Sequence, residues 1–315
     1  MNAGNTSTQA WIESTNIPFL DAFMFALALM LSVFICLVNT LTILVVSRTP
    51  SLRTLANIYV VSLASVDFVI GLGLIPTALF VLPPTRVALF YRYIDLCVLM
   101  NGINLGMAGN SIFHMAFVSV DRYLYITKPY FYERVMTGSV VASLVSTAWT
   151  VSLGYVVLPH FIHTSFDEVP KCDGERVLPA WYLFYSTWGI YFAVVLVILV
   201  MYSLILRTAF KQRQAIHVAG PAGFKGTSTA TMSRSTAKTV KFFLTVFGVF
   251  FVCMTPSVVC LGLNFVTYVP LGLYNFLNMV ALTNSGMNFI ILTVQNTQFR
   301  RALFKLLHCT CWLEN

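Results

Sequence analysis

Charge is what this chain has least of. Only 10% of its 315 residues are Asp, Glu, Lys or Arg, whereas 58% are hydrophobic. An average soluble domain carries about 25% charged residues, so a water-soluble fold of this composition could not cover itself with polar surface. Other absences narrow the field. No Pro/Ser-rich spacer divides the chain and no internal repeat is visible, so it reads as one domain without the repeated halves of many transporters. No filter-like loop or pore-lining charge marks a channel. His114, His160, His163, His217 and His308 are scattered; only His160 and His163 are close enough for a surface metal pair, and no catalytic cluster is visible, so we expect no enzyme. The first 18 residues lack a basic stretch followed by an apolar core. No cleaved leader is expected, and the first apolar run then acts as the insertion signal.

What the chain has is apolar runs. A membrane-crossing helix needs about 20 mostly apolar residues, and seven segments qualify, at 19–47, 56–82, 94–122, 139–160, 179–208, 237–265 and 271–295. The expected fold is an all-α membrane protein: a tail over 1–18, a seven-helix transmembrane domain over 19–295, and an amphipathic helix with a short tail over 296–315. Fifteen Lys and Arg residues fall in one alternating set of gaps, and four (Arg86, Arg92, Lys171 and Arg176) in the other. Cationic loops stay cytoplasmic. The expected topology is therefore multi-pass in the plasma membrane, N-terminus outside and C-terminus inside. The net charge of +8 reads as that topology signal plus attraction to anionic membrane lipid, with no nucleic-acid partner. Asn5-Thr6-Ser7 is a glycosylation sequon on the outer side. Phe299, Ala302, Leu303, Leu306 and Leu307 share one face of a surface helix, and Cys309 and Cys311 after it suit palmitoylation. Cys36, Cys253 and Cys260 lie inside spans and read as small hydrophobes. Residues 209–236 are polar, basic and Gly/Ser/Thr-rich, which predicts a flexible loop. Its hydroxyls Ser228, Thr229, Thr231, Ser233 and Ser235 are candidate phosphorylation sites.

Two charged features stand out against this apolar background. Asp67 is the one acid deep within a span, a placement costing about 2.5–3.5 kcal/mol on insertion scales. Asp121-Arg122-Tyr123 ends the third span, and charges at a membrane boundary usually have a function. Each span carries a marker of this kind. Asn39 lies in the first and Leu63-Ala64-Ser65-Val66-Asp67 in the second. Cys97 and Asp121-Arg122-Tyr123 bracket the third, Trp149 marks the fourth and Tyr202 the fifth. Cys253-Met254-Thr255-Pro256 is in the sixth, and Asn284-Ser285-Gly286-Met287-Asn288 in the seventh. In order and spacing, over about residues 20–308, the set resembles the rhodopsin-like (class A) family of G-protein-coupled receptors.

That resemblance implies roles. Arg122, neutralised by Asp121 at rest, is released to contact a heterotrimeric G protein, with Tyr123 and Tyr202 alongside. Asp67 with Ser111, Asn284, Ser285 and Asn288 matches the family's hydrated sodium site, and Asn39 completes the polar core; a hydrogen-bonded knot without an ion is the alternative. Cys97 and Cys172 match the family's disulfide; the alternative is two free thiols. Phe250, Ile112 and Pro256 match transmission positions. Asn104, Ser186, Thr187, Ser257, Tyr274 and Asn278 match pocket positions, and Asn104 stands where amine receptors carry an aspartate. These groups are polar and uncharged, which implies a small, non-aminergic extracellular ligand. No cofactor is expected beyond an allosteric sodium ion.

The chain also departs from the family pattern. Phe289 and Leu292 replace a proline and a tyrosine, Met254 a tryptophan, and Val194 a proline whose loss allows span five to rotate. Thr236 stands where an acid often locks Arg122 closed. These departures leave two alternatives open: a seven-span scaffold or chaperone-like protein with little signalling, and a receptor for a short peptide.

Overall fold

In the computed structural model, which describes residues 18–90, 92–162, 178–223, 227–264, 266–267 and 269–308, the chain forms α-helices and no strand among those residues. Seven of the helices are long and apolar enough to cross a membrane. They are α1 (Phe19–Arg48), α2 (Leu55–Val81), α3 (Ile94–Thr127), α4 (Gly138–Val157), α5 (Ile190–Gly223), α6 (Thr227–Leu263) and α7 (Leu271–Gln295). The short α8 (Thr297–Leu307) follows. Asn5, Cys172, Cys309 and Cys311 lie outside the described residues, as do the side chains of Ser186, Thr236 and the hydroxyl cluster at 228–235.

Apolar length alone makes the spans helical, because a bilayer offers no partner for a free N–H or C=O and only a helix satisfies its own. The ends are set locally. Thr54 accepts from the Asn57 N–H at the start of α2, and Thr137 from Val140 at the start of α4, as N-caps do. Asn296 turns the chain between α7 and α8 by accepting from both Gln298 and Phe299 at 3.1 Å. Phe299 and Leu303 of α8 are buried against Val45, Val46, Leu52 and Leu292. Leu307, expected on the same face, stands 58% exposed at the fraying end of the helix.

α3 is the hub of the bundle. It packs on α2, α4, α5 and α6, while α7 closes the ring against α6, α1 and α2. The approach of α3 to α4 depends on two glycines. A Cβ at Gly106 would lie 2.7 Å from the Ser152 carbonyl oxygen, and one at Gly102 would lie 2.8 Å from that of Val156. Two features differ from the sequence expectation. The segment 209–236 is helical up to Gly223 and again from Thr227, because extending an existing helix costs far less than nucleating one. Span five begins with one α-turn (Ala180–Leu183) and then a π-turn over Phe184–Gly189. The π-turn adds a residue to its turn and rotates the Ser186–Thr187 register relative to α5.

Candidate functional site

One polar centre sits at the C-terminal end of α3. Asp121 is 1% exposed, and a buried acid is tolerable only when paired and hydrogen-bonded. Arg122 supplies the pairing: its Nε donates to Asp121 Oδ2 at 2.7 Å, and its Nη2 donates to the same oxygen. The other oxygen, Oδ1, accepts from the Tyr132 hydroxyl at 3.0 Å. Tyr132 gets there because the helix breaks at Lys128 and Pro129 starts a short return helix, Pro129–Val135, as proline at a first helical position favours. Burial first, and then the negative charge of Asp121, push the Tyr132 phenol up to about 12, so it remains a donor. The Arg122 guanidinium lies 5.2 Å from the Tyr125 ring centre, a cation–π placement. Tyr202 is buried, stacked on Phe247 at 5.7 Å, and Tyr123 packs on the same cluster. The centre is thus a neutralised, nearly dry ion pair, and removing one partner of such a pair costs about 3–5 kcal/mol.

The second centre lies at mid-bundle. Asp67 is fully buried. Its Oδ2 accepts from Asn288 Nδ2 at 3.0 Å, with the Ser285 hydroxyl beside the carboxylate. Oδ1 has no hydrogen-bond partner, and neither has the Ser111 hydroxyl. Asn39 ties α1 to α7 by donating to the Ser285 carbonyl at 3.0 Å, and Asn284 is buried too. A carboxylate oxygen and a hydroxyl, both buried and unpartnered, form a donor set that fits a hard cation with water. Among the described residues no cluster of three His, Cys, Asp or Glu stands beside it, so any ion held here would have one charged ligand.

A third junction is invisible in the sequence. Trp149 of α4 donates to Ser62 Oγ of α2 at 3.0 Å, and Ser62 Oγ lies 2.7 Å from His114 Nε2 of α3. His114 Nδ1 lies 2.9 Å from the Asn110 carbonyl. A carbonyl only accepts, so Nδ1 carries the proton and Nε2 accepts from Ser62. Three helices therefore meet at a single hydroxyl. His114 had looked like an isolated histidine because its partners are far away in sequence.

At the opposite end of the bundle, Asn104 and Ser257 engage different neighbours. Asn104 donates to Thr77 at 3.3 Å, and Ser257 donates to Asn278. Tyr274 is partly buried, and the buried Thr187 hydroxyl has no partner. Trp188 reaches across to α6, donating to the Val258 carbonyl at 2.9 Å and packing over Gly262. One turn along, the Tyr191 and Thr255 hydroxyls meet at 2.5 Å. The transmission positions are buried as a unit, with Phe250 and Ile112 in one cluster with Tyr191 and Tyr202 and Met254 packed against it. Pro256 lies inside α6. Cys97 is disulfide-bonded, whereas Cys36, Cys253 and Cys260 form no disulfide. Leu292 is buried in the α1–α8 cluster.

Comparison with known proteins agrees with this geometry. Residues 38–292 match the family model for the seven-transmembrane receptors of the rhodopsin family. Trace amine-associated receptor 8b of Rattus norvegicus is 27% identical over 283 residues, spanning 84% of this chain and 80% of that receptor. Adenosine receptor A2b of Rattus norvegicus is 25% identical over 311 residues, and that of Homo sapiens 26% over 314, each spanning 91% of this chain and 90% of the receptor. The chain belongs to the rhodopsin family of seven-transmembrane, G-protein-coupled receptors, which are receptors and not enzymes.

Proposed function

We propose that this receptor binds a small, uncharged or weakly charged extracellular ligand and activates a heterotrimeric G protein through Arg122. The buried Asp121–Arg122 pair, held by Tyr132, carries the reading. It keeps a guanidinium neutralised at the membrane edge, where opening of the bundle would free its planar fork for a carbonyl or carboxylate of a partner. An agonist would act by binding the open packing more tightly than the closed one. Tyr130, in the short helix that follows α3, is 91% exposed, and a bare aromatic there suits an apolar contact with the G protein. The charge asymmetry of the gaps supports an outward N-terminus and an inward C-terminus.

For the ligand, the relatives named above are an adenosine receptor and a trace amine-associated receptor. Asn104, Ser257 and Asn278 offer this chain neutral hydrogen-bonding groups. We therefore favour a neutral molecule, of which a nucleoside is one chemical example, over an amine. Asp67, Ser111, Asn284, Ser285 and Asn288 would hold a sodium ion, which would supply positive charge beside the buried carboxylate; Asp67 keeps the site charged and Asn288 orients it. Tyr202, Phe250, Ile112 and Pro256 would transmit the change in packing.

The reading is tested by G-protein activation by the surface-expressed chain, across the main α-subunits, beside Arg122→Ala. A basal signal abolished by the substitution is expected. The buried Leu292 favours a second reading, a seven-span protein with little signalling, because it does not supply the hydroxyl that the family's tyrosine offers. Silence at full surface expression, persisting after Phe289→Pro with Leu292→Tyr, would establish that second reading.

A further inference from the structure

Tyr59 of α2 is 1% exposed, and its hydroxyl is buried with no hydrogen-bond partner. Left this way, the group bears its desolvation cost without return. Its surroundings are not apolar, since the charges of Asp121 and Arg122 lie close enough to act on it and the Tyr132 phenol is near. In the closed packing both oxygens of Asp121 already accept from other groups. Arg122 covers Oδ2 with two N–H groups, and Tyr132 donates to Oδ1. Tyr59 is thus a donor close to a carboxylate to which it does not donate in the closed packing.

Release of Arg122 changes that balance. Asp121 stays buried, and a buried acid without its cation is strongly unfavourable unless other donors replace it. We propose that Tyr59 is a positioning residue of the open state, its hydroxyl donating to the Asp121 oxygen that Arg122 vacates. Tyr59 and Tyr132 then hold one carboxylate oxygen each. The device rests on the reading that Arg122 release is the activating step. It also supplies, from α2, a hydroxyl at the Arg122 end that Leu292 in α7 cannot.

The test uses the full chain purified in detergent and compares Tyr59→Phe, which keeps the ring and removes only the oxygen, in three backgrounds. In the wild-type background the melting temperature should stay the same. In Arg122→Ala, where Asp121 has lost its cation, Tyr59→Phe should lower it by about 2–4 °C. In Arg122→Ala with Asp121→Leu, which leaves no acceptor, the difference should vanish. The same change in all three backgrounds would overturn the proposal, and Arg122→Gln carries the same comparison if Arg122→Ala does not fold. A second readout is basal guanine-nucleotide exchange by added heterotrimeric G protein. Tyr59→Phe should reduce it about tenfold, the factor that 1.4 kcal/mol represents. Exchange abolished by Arg122→Ala but untouched by Tyr59→Phe would overturn the hydroxyl's role while the coupling reading stands. Exchange no higher in the wild type than in Arg122→Ala would count against the coupling reading, and the melting comparison would still decide the hydroxyl.

Discussion

Asp67 brings a carboxylate to the middle of α2, and Asn288 gives it one hydrogen bond there; its Oδ1 and the buried Ser111 hydroxyl of α3 are unpartnered. If sodium fills that demand, sodium chloride should raise the melting temperature of the purified chain more than potassium chloride does, and Asp67→Asn should abolish the difference. An equal response in the variant would remove the ion and leave the polar knot. Ser62 makes a different demand, because one oxygen satisfies both Trp149 and His114. Ser62→Ala orphans two buried groups at once, and each orphan costs about 1–3 kcal/mol. We expect a loss of about 2–5 kcal/mol, read as a lower melting temperature with the fold retained by circular dichroism. Asp67 was legible in the sequence because an intramembrane acid is anomalous anywhere. His114 was not, since neither its neighbours in sequence nor its spacing indicated a partner 52 residues away.

Between elements, backbone proximity and cross-helix bonds decide what can move. The α3–α4 contact has no space for a side chain at Gly106, where a Cβ would meet the Ser152 carbonyl and a Val156 methyl, each at 2.7 Å. A backbone carbonyl cannot step aside, so Gly106→Ala should cost about 1–3 kcal/mol and lower surface expression. Gly248, where a Cβ meets nothing within 4 Å, is the control that should tolerate alanine. On the other side, Trp188 and Tyr191 join α5 to α6 through Val258 and Thr255. Trp188→Phe keeps an aromatic ring but removes the bond to the Val258 carbonyl and the indole atoms that lie over Gly262. That carbonyl stays within its own helix, so the loss should be about 1 kcal/mol. The α5–α6 join should loosen, and basal G-protein activation should rise relative to wild type at equal surface expression. The sequence indicated that span five lacked its usual proline and could rotate; it did not show that a π-turn over Phe184–Gly189 would be the means.

For the molecule as a whole, orientation follows from charge. Fifteen cationic residues on one side against four on the other should place the N-terminus outside. An epitope tag before Met1 should stain on intact cells, and a tag after Asn315 only after permeabilisation. The reverse pattern would overturn the assignment of every loop. Class, span number and family were all readable in one dimension, because a bilayer forces about 20 apolar residues per crossing and each marker sits at a fixed place in its span. The linear order also placed α8, through the face shared by Phe299 and Leu303.

The sequence by itself determined that this chain spans a membrane seven times and carries an acid–arginine pair at a membrane boundary and an acid within a span, because the cost of charge near hydrocarbon depends on residue type and depth alone. Only the tertiary structure decided which groups answer those charges. Tyr132 folds back onto Asp121, Asn288 reaches Asp67, Ser62 joins three helices, and the Tyr59 hydroxyl is left without a partner. Hydrogen bonds act over about 3 Å, and which groups come that close depends on how the helices pack, which spacing along a single chain does not encode.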